Sequence, residues 1–159
     1  MQYSLRPAQA GDEDFLYRLY ASTRPEVSAF GWPPEQQQAF LRMQFNAQQR
    51  WYQTAYPLAE HSIITAGQET IGRVLVSRDK NSATLVDISI LPEYRGHGIG
   101  GTVVRELIRQ SSSRGETLRL QVLRTNPAQR LYLRLGFLQT GEDAMYLQMA
   151  TRAPEPEKN

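Results

Sequence analysis

The sequence predicts an α/β fold of the α+β kind, with a central, mostly antiparallel sheet of about six or seven strands and about four helices. Three observations carry this. The apolar pattern keeps a helical period up to about Tyr52 and changes to a period of two at His61. The alternating runs "HSIIT", "TIGRVLVS" and "ATLVDISI" then succeed one another across the short turns "AGQE" and "RDKN", the pattern of an antiparallel meander. A glycine-rich stretch finally separates the last run from an amphipathic helix.

Taken in order, a first strand is read near Tyr3–Arg6. A helix follows from about Asp12 to Ala21, with Phe15, Leu16, Leu19 and Tyr20 on one face and an acidic start that suits the helix dipole. The segment "RPEVSAFGWPP" reads as a loop, and a second helix runs from about Pro34 to Tyr52 with the stripe Leu41, Phe45, Gln48, Tyr52. Its other glutamines read as solvated. After the meander, a helix from the glycines to about Arg114 buries Val103, Val104, Leu107 and Ile108, and Gly115 ends it. "TLRLQVL" is a fifth strand, "NPAQRLYLRLGF" a short helix, and "FLQTGEDAMYLQMA" a closing hairpin.

At 159 residues the chain is read as one domain over residues 1–150, able to bury roughly two-thirds of the surface of its unfolded form, with residues 151–159, "TRAPEPEKN", as a disordered tail. The absence of cysteine excludes disulfides, thiolate metal sites and a cysteine nucleophile, and no metal is expected. A net charge of +2 does not argue for nucleic acid. With no signal peptide and no run of about 18 apolar residues, no membrane is expected and the cytoplasm is the default. The oligomeric state is left open, a homodimer included.

The stretch "DISILPEYRGHGIGGTVVRELI" is where the chemistry concentrates. Four glycines in six residues open a helix, and each costs roughly 0.5–1 kcal/mol against alanine in regular structure. Unpaired N–H groups at a helix start favour an anion, so the expected guest is a phosphate. A P-loop is excluded because no Gly-Lys pair exists. The dinucleotide pattern is met by Gly96, Gly98 and Gly101, but "LPEY" separates it from its strand and the next strand ends in arginine and threonine where an acidic residue should hold a ribose. The third pattern, R-x-x-G-x-G, is met by Arg95, Gly98 and Gly100, and "NPAQRLYLRLGF" follows about 30 residues later.

With both motifs in that order, from about Thr70 to Phe137, the chain resembles the GNAT superfamily of acetyl-CoA-dependent N-acetyltransferases. The resemblance implies helices on both faces of the sheet, acetyl-CoA as cosubstrate, and direct transfer of its acetyl group to a primary amine of a small molecule or protein. The pyrophosphate would lie on the main chain of Arg95, Gly96, Gly98, Ile99, Gly100 and Gly101. The peptide-like pantetheine arm would lie along Ile88, Ser89 and Ile90 by strand addition, with Asn126 and Arg130 of the second motif beside it. Asn126 also suits a turn or cap before Pro127. His97 reads as an exposed loop residue.

An amine with a pKa of about 10.4 is neutral about once in 2,500 molecules at pH 7, equivalent to roughly 4.6 kcal/mol, so the reaction needs a proton acceptor and a donor for the departing thiolate. Tyr132 matches the family's tyrosine and is the expected donor, although its helix face also suits a core tyrosine. The family's strand glutamate is best matched by Thr84, which cannot accept a proton. Asp87 is the one carboxylate on that strand. If the turn is centred near Lys80, Arg73 falls opposite it, so an ion pair competes with a role toward the amine. His61, at a strand start, is a further acceptor candidate. The resemblance implies that the loop between the first two helices shapes acceptor binding, here with Glu26, Phe30 and Trp32, whose aromatic faces and carboxylate suit a cation; the alternative for Trp32–Pro33 is to staple the second helix to the sheet. The alternative function is a catalytically silent acyl-CoA-binding or regulatory module of the same fold.

Overall fold

The computed structural model describes residues 2–152. Seven strands form one sheet: β1 (Ser4–Pro7), β2 (Glu60–Ala66), β3 (Glu69–Arg78), β4 (Ser82–Ile90), β5 (Thr117–Leu123), β6 (Leu138–Glu142) and β7 (Tyr146–Ala150). Their spatial order is β1-β2-β3-β4-β5-β7-β6. Every neighbouring pair is antiparallel except β4 and β5, which run parallel and are joined through a crossover helix.

The α-helices are α1 (Glu13–Ser22), α2 (Pro34–Ala55), α3 (Ile99–Ser113) and α4 (Ala128–Arg134). They divide between the two faces of the sheet because the strands alternate apolar residues to both sides. On one face Val103, Val104 and Leu107 of α3 and Tyr132 of α4 pack with Val74, Val76, Leu85, Leu120 and Phe137. On the other, Phe15, Leu16, Leu19 and Tyr20 of α1 and Phe45 of α2 close over Ile63 and Leu91. The stripe expected on α1 is therefore its buried face. On α2 only Phe45 is fully buried.

Two expectations need correction. The loop between α1 and α2 contains a short 3-10 helix over Pro25–Phe30. The chain also stays tied to the sheet one residue beyond the expected start of the tail: Thr151 N–H donates to Leu118 C=O at 2.9 Å and Leu118 N–H to Thr151 Oγ1 at 3.0 Å. The remainder of the tail, from 153 on, lies outside the described residues. Among the described residues, no helix is long and apolar enough to cross a membrane.

Candidate active site

The site begins with a register change. Strands β3 and β4 pair Arg78 with Ala83, Ser77 with Thr84 and Val76 with Leu85, and then shift so that Leu75 faces Asp87 and Arg73 faces Ser89. Val86 is the extra residue, a β-bulge. Leu85 and Ile88 consequently pack on the same side of the sheet although they are three residues apart. Beyond Leu85, β4 also leaves its other neighbour, since its pairing with β5 covers only Ser82–Leu85 against Thr117–Leu120. The bulge and the end of the parallel pairing coincide, and the two strands part there.

Main-chain accounting tells which groups face the resulting gap. Leu91 N–H donates to Ile71 C=O at 2.8 Å. In an antiparallel ladder this role alternates, so Ser89 and Asp87 spend their main-chain groups on β3, while Ile88 and Ile90 turn theirs toward the gap. The Ile90 carbonyl is taken by Arg95 Nε at 2.8 Å. That leaves Ile88 N–H, Ile88 C=O and Ile90 N–H along an unpaired edge of about 15 Å. Of the three strand residues named from the sequence, Ser89 is thus turned away from the gap. On β3, Gly72, which faces Ile90, is required, because a Cβ there would collide with the Ser89 carbonyl oxygen.

The edge leads into the start of α3. Gly96 and Gly98 adopt φ of 81° and 78°, the left-handed region that side chains disfavour, and Gly98 caps the helix. Thr102 N–H and Oγ1 both bond the Gly98 carbonyl, at 3.0 and 2.8 Å. The N–H groups of Ile99, Gly100 and Gly101 precede that first bond and have no helical partner. A Cβ at Gly100 would sit 3.5 Å from Ile90 Cδ1, so the helix start lies directly against the end of β4. Gly101 is buried, and a Cβ there would meet Leu131 Cδ1 of α4 at an ordinary contact distance of 3.5 Å, so α4 packs against the helix start at this point.

Of the two residues expected to handle protons, Asp87 lies on β4 and Tyr132 on α4. Asp87 Oδ2 accepts from Arg73 Nε at 2.9 Å and lies 2.7 Å from Arg73 Nη2, while its Oδ1 accepts from Ser89 Oγ at 3.0 Å. The ion pair read from the sequence is present, but diagonally, because the bulge puts Leu75 opposite Asp87. Arg73 is buried and fully engaged: its two terminal nitrogens also donate to Gln48 and Gln49 of α2 at 3.0 and 3.1 Å. Gln49 is therefore not a solvated residue. Tyr132 is buried, its ring 5.6 Å from that of Phe137 in an edge-on arrangement. Burial pushes its phenol up, and the Asp87 charge adds to the rise, which places the two groups within electrostatic reach.

The remaining sequence-named residues lie as follows. Asn126 Oδ1 accepts from Ala128 N–H at 2.9 Å, so it caps the entry to α4 while its amide nitrogen stays free for a neighbour. Arg130 is exposed on α4. Phe30 and Trp32 pack edge-on at 5.0 Å and Trp32 on Phe40 at 5.3 Å, so these rings fill one another and fasten the loop to α2 itself, not to the sheet. Glu26 is exposed. Sequence reasoning missed Gln49 as an Arg73 ligand and Tyr52 as a titratable neighbour. Tyr52 stacks 5.4 Å from the Arg73 guanidinium and is pushed up to about 12 by burial and by Asp87. The larger cavity, about 370 Å3 between α3, α4 and β6, shares none of these residues. Among the described residues no group of three or more His, Cys, Asp or Glu side chains is arranged to hold a metal.

A strand edge opened by a bulge and running into a helix start with unpaired N–H groups is the class of surface that suits a peptide-like, phosphorylated ligand. Residues 14–137 match the acetyltransferase (GNAT) family, and the chain belongs to that family. A curated relative, the [ribosomal protein bS18]-alanine N-acetyltransferase of Haemophilus influenzae, is 39% identical over 70 residues, which is 43% of this chain and 48% of that protein. The match thus spans about half the length of that relative. Among solved structures, PaiA N-acetyltransferase from Thermoplasma acidophilum in complex with coenzyme A superposes with a TM-score of 0.72 at 20% identity, covering 96% of this chain and 99% of that one. The ribosomal-protein-S18-alanine N-acetyltransferase from Escherichia coli gives 0.67 at 20% identity over 99% and 98%. Spermidine N-acetyltransferase from Vibrio cholerae, in complex with coenzyme A and spermine, gives 0.66 at 23% identity over 94% of each chain. At these identities the likeness is one of fold.

Proposed function

We propose that the chain is an acetyl-CoA-dependent N-acetyltransferase that moves the acetyl group directly to a primary amine. The observation that carries this is the continuity of the free Ile88 and Ile90 main-chain groups with the unpaired N–H groups of Ile99, Gly100 and Gly101. A pantetheine amide chain can add to the first set as a strand, and a pyrophosphate can accept from the second. The family resemblance assigns Asn126, just before α4, and Arg130, on α4, to the same donor: a side-chain amide, and a guanidinium suited to phosphate.

Asp87 presents Oδ1 as the charged acceptor for the incoming ammonium, while Arg73 fixes the carboxylate through Oδ2. Once the amine is neutral, its nitrogen attacks the thioester carbon, the C–N bond forms and the C–S bond breaks. Tyr132, held protonated by its raised pKa, gives its proton to the departing sulfur and recovers one from the acetylated nitrogen. A silent acyl-CoA-binding module is the second reading, favoured by one observation: the carboxylate at the gap is already paired with Arg73.

The three likenesses with named acceptors, two for a ribosomal-protein alanine and one for spermidine, suggest the first acceptors to try. Release of free coenzyme A from acetyl-CoA should be measured with a peptide beginning in alanine, with spermidine and with lysine peptides, and acetylated product identified by mass spectrometry. Product on any of them supports transfer. Tight acetyl-CoA binding without product on all of them supports the silent module.

A further inference from the structure

A second cavity, of about 210 Å3, lies between the C-terminal half of α2 and strands β2 and β3, lined by Gln49, Tyr52, Tyr56, His61, Arg73 and Leu75 among others. Its floor belongs to a row across the sheet: His61 on β2 faces Leu75 on β3, which faces Asp87 on β4. Directly opposed residues share a face of the sheet, and two strand spacings, about 10 Å, separate the ends of this row. His61 Nε2 is buried and has no hydrogen-bond partner among the described residues. An unpaired buried nitrogen is rare in folded proteins. A polar cavity of this size has room for several waters.

We propose that His61 is the terminal proton acceptor of a path that leaves Asp87, crosses Leu75 beneath Tyr52, and ends at the His61 side of this cavity. The proposal rests on the acetyltransferase reading. That reaction releases one proton per turnover: a cationic amine and a thioester become a neutral amide, a thiol and a proton. The first ammonium proton passes to Asp87 Oδ1 and is carried past Leu75 by water filling the cavity beside Arg73 to His61 Nε2, which becomes imidazolium and returns the proton to solvent. The second amine proton goes to the thiolate through Tyr132, so the balance closes without another reagent.

His61 suits this task because burial holds it below its ordinary range, leaving it neutral and able to accept at pH 7. The groups facing it are Arg73 of β3, which opposes protonation, Asp87 of β4 and Asp12 before α1, which favour it, and the phenols Tyr52 and Tyr56 across the cavity. Asp12 is itself neutralised by Arg6, so Asp87 is the partner whose removal matters.

The chain has two histidines, His61 and His97, so an imidazole NMR titration of the intact protein shows two signals, assigned with His97→Gln. One should titrate below the ordinary histidine range and move further down in Asp87→Asn; a His61 signal indifferent to Asp87→Asn overturns the proposal. In turnover of acetyl-CoA with alanine amide as the probe amine, His61→Gln should lower kcat tenfold or more, change the acetyl-CoA KM less than twofold, and remove the acid limb of the pH profile. His61→Asn, checked by its urea midpoint, guards against a folding defect. Wild-type kcat and acid limb in both folded variants overturn the path. Because the titration needs no acceptor, the path's test stands apart from that of the acetyltransferase reading, which is overturned by acetyl-CoA binding without product on every acceptor of the panel.

Discussion

Arg73 and Asp87 form an ion pair at 2.7 Å although they are not opposite one another in the sheet. The bulge at Val86 offsets them, and the long arginine side chain spans the diagonal. With side-chain exposures of 5% and 19%, the pair is far from a surface salt bridge. Removing one partner of a buried pair costs about 3–5 kcal/mol, above the roughly 0.2–1 kcal/mol of an exposed cross-strand pair. Asp87→Asn keeps the shape and should cost about 2–3 kcal/mol, read as a lowered urea midpoint. If Asp87 also meets the amine, kcat falls in the variant at temperatures where it remains folded. Unchanged kcat would confine Asp87 to structure.

Gly98 tests the anion site. Its φ of 78° makes any side chain costly there, by roughly 1–2 kcal/mol. Gly98→Ala carries that strain without charge, while Gly98→Glu adds a carboxylate beside the free N–H groups of α3. Calorimetry should find acetyl-CoA binding weakened in the first and abolished in the second. Equal binding in the two folded variants would mean that the phosphates lie elsewhere.

Tyr132→Phe removes one oxygen and keeps the contact with Phe137. The expected outcome is a fall in kcat of about 10²-fold with acetyl-CoA affinity nearly unchanged. Because Tyr132 is held above the ordinary phenol range, wild-type kcat should not decline from loss of this proton until pH rises above about 10. Wild-type rates in the variant would remove the hydroxyl from the mechanism.

Asp12 predicts an acid limb in stability. Arg6 grips both of its oxygens, at 2.9 and 2.7 Å, and Gln9 N–H adds a third bond at 2.7 Å, lowering the carboxyl to about 2. A carboxyl depressed in the folded state contributes stability that is complete above its unfolded value, about 3.9, and is lost as pH falls toward 2. Urea midpoints between pH 6 and pH 2 should therefore fall less steeply in Asp12→Asn than in the wild type. Parallel curves would show that the Arg6 fork contributes nothing.

The elements were legible because period and punctuation agreed with burial. "TLRLQVL" is β5 from Thr117 to Leu123, and the Gly98 helix start is where the glycines placed it. The bulge was not legible, since Val86 in "TLVDISI" looks like any other β-branched strand residue. A turn centred near Lys80 put Arg73 opposite Asp87, whereas the turn lies half a residue later and the bulge adds a further shift. The α2 contribution was missed for a related reason. Glutamines have no pattern of their own, and only the buried guanidinium of Arg73 shows why Gln49 faces inward beside Gln48, which the stripe already included. The aromatic loop left two readings open in the sequence, acceptor binding or a staple to the sheet, and in space Phe30, Trp32 and Phe40 pack on one another, which joins the loop to α2.

The central claim, that a donor arm adds to the free edge of β4, is tested most directly by amide hydrogen exchange at Ile88, Ser89 and Ile90 with and without acetyl-CoA. Ser89 N–H, bonded to β3, should be protected in both states. Ile88 and Ile90 N–H should exchange readily in the free protein and slow when acetyl-CoA is present. Acetyl-CoA binding that leaves Ile88 and Ile90 exchanging as before would contradict the account.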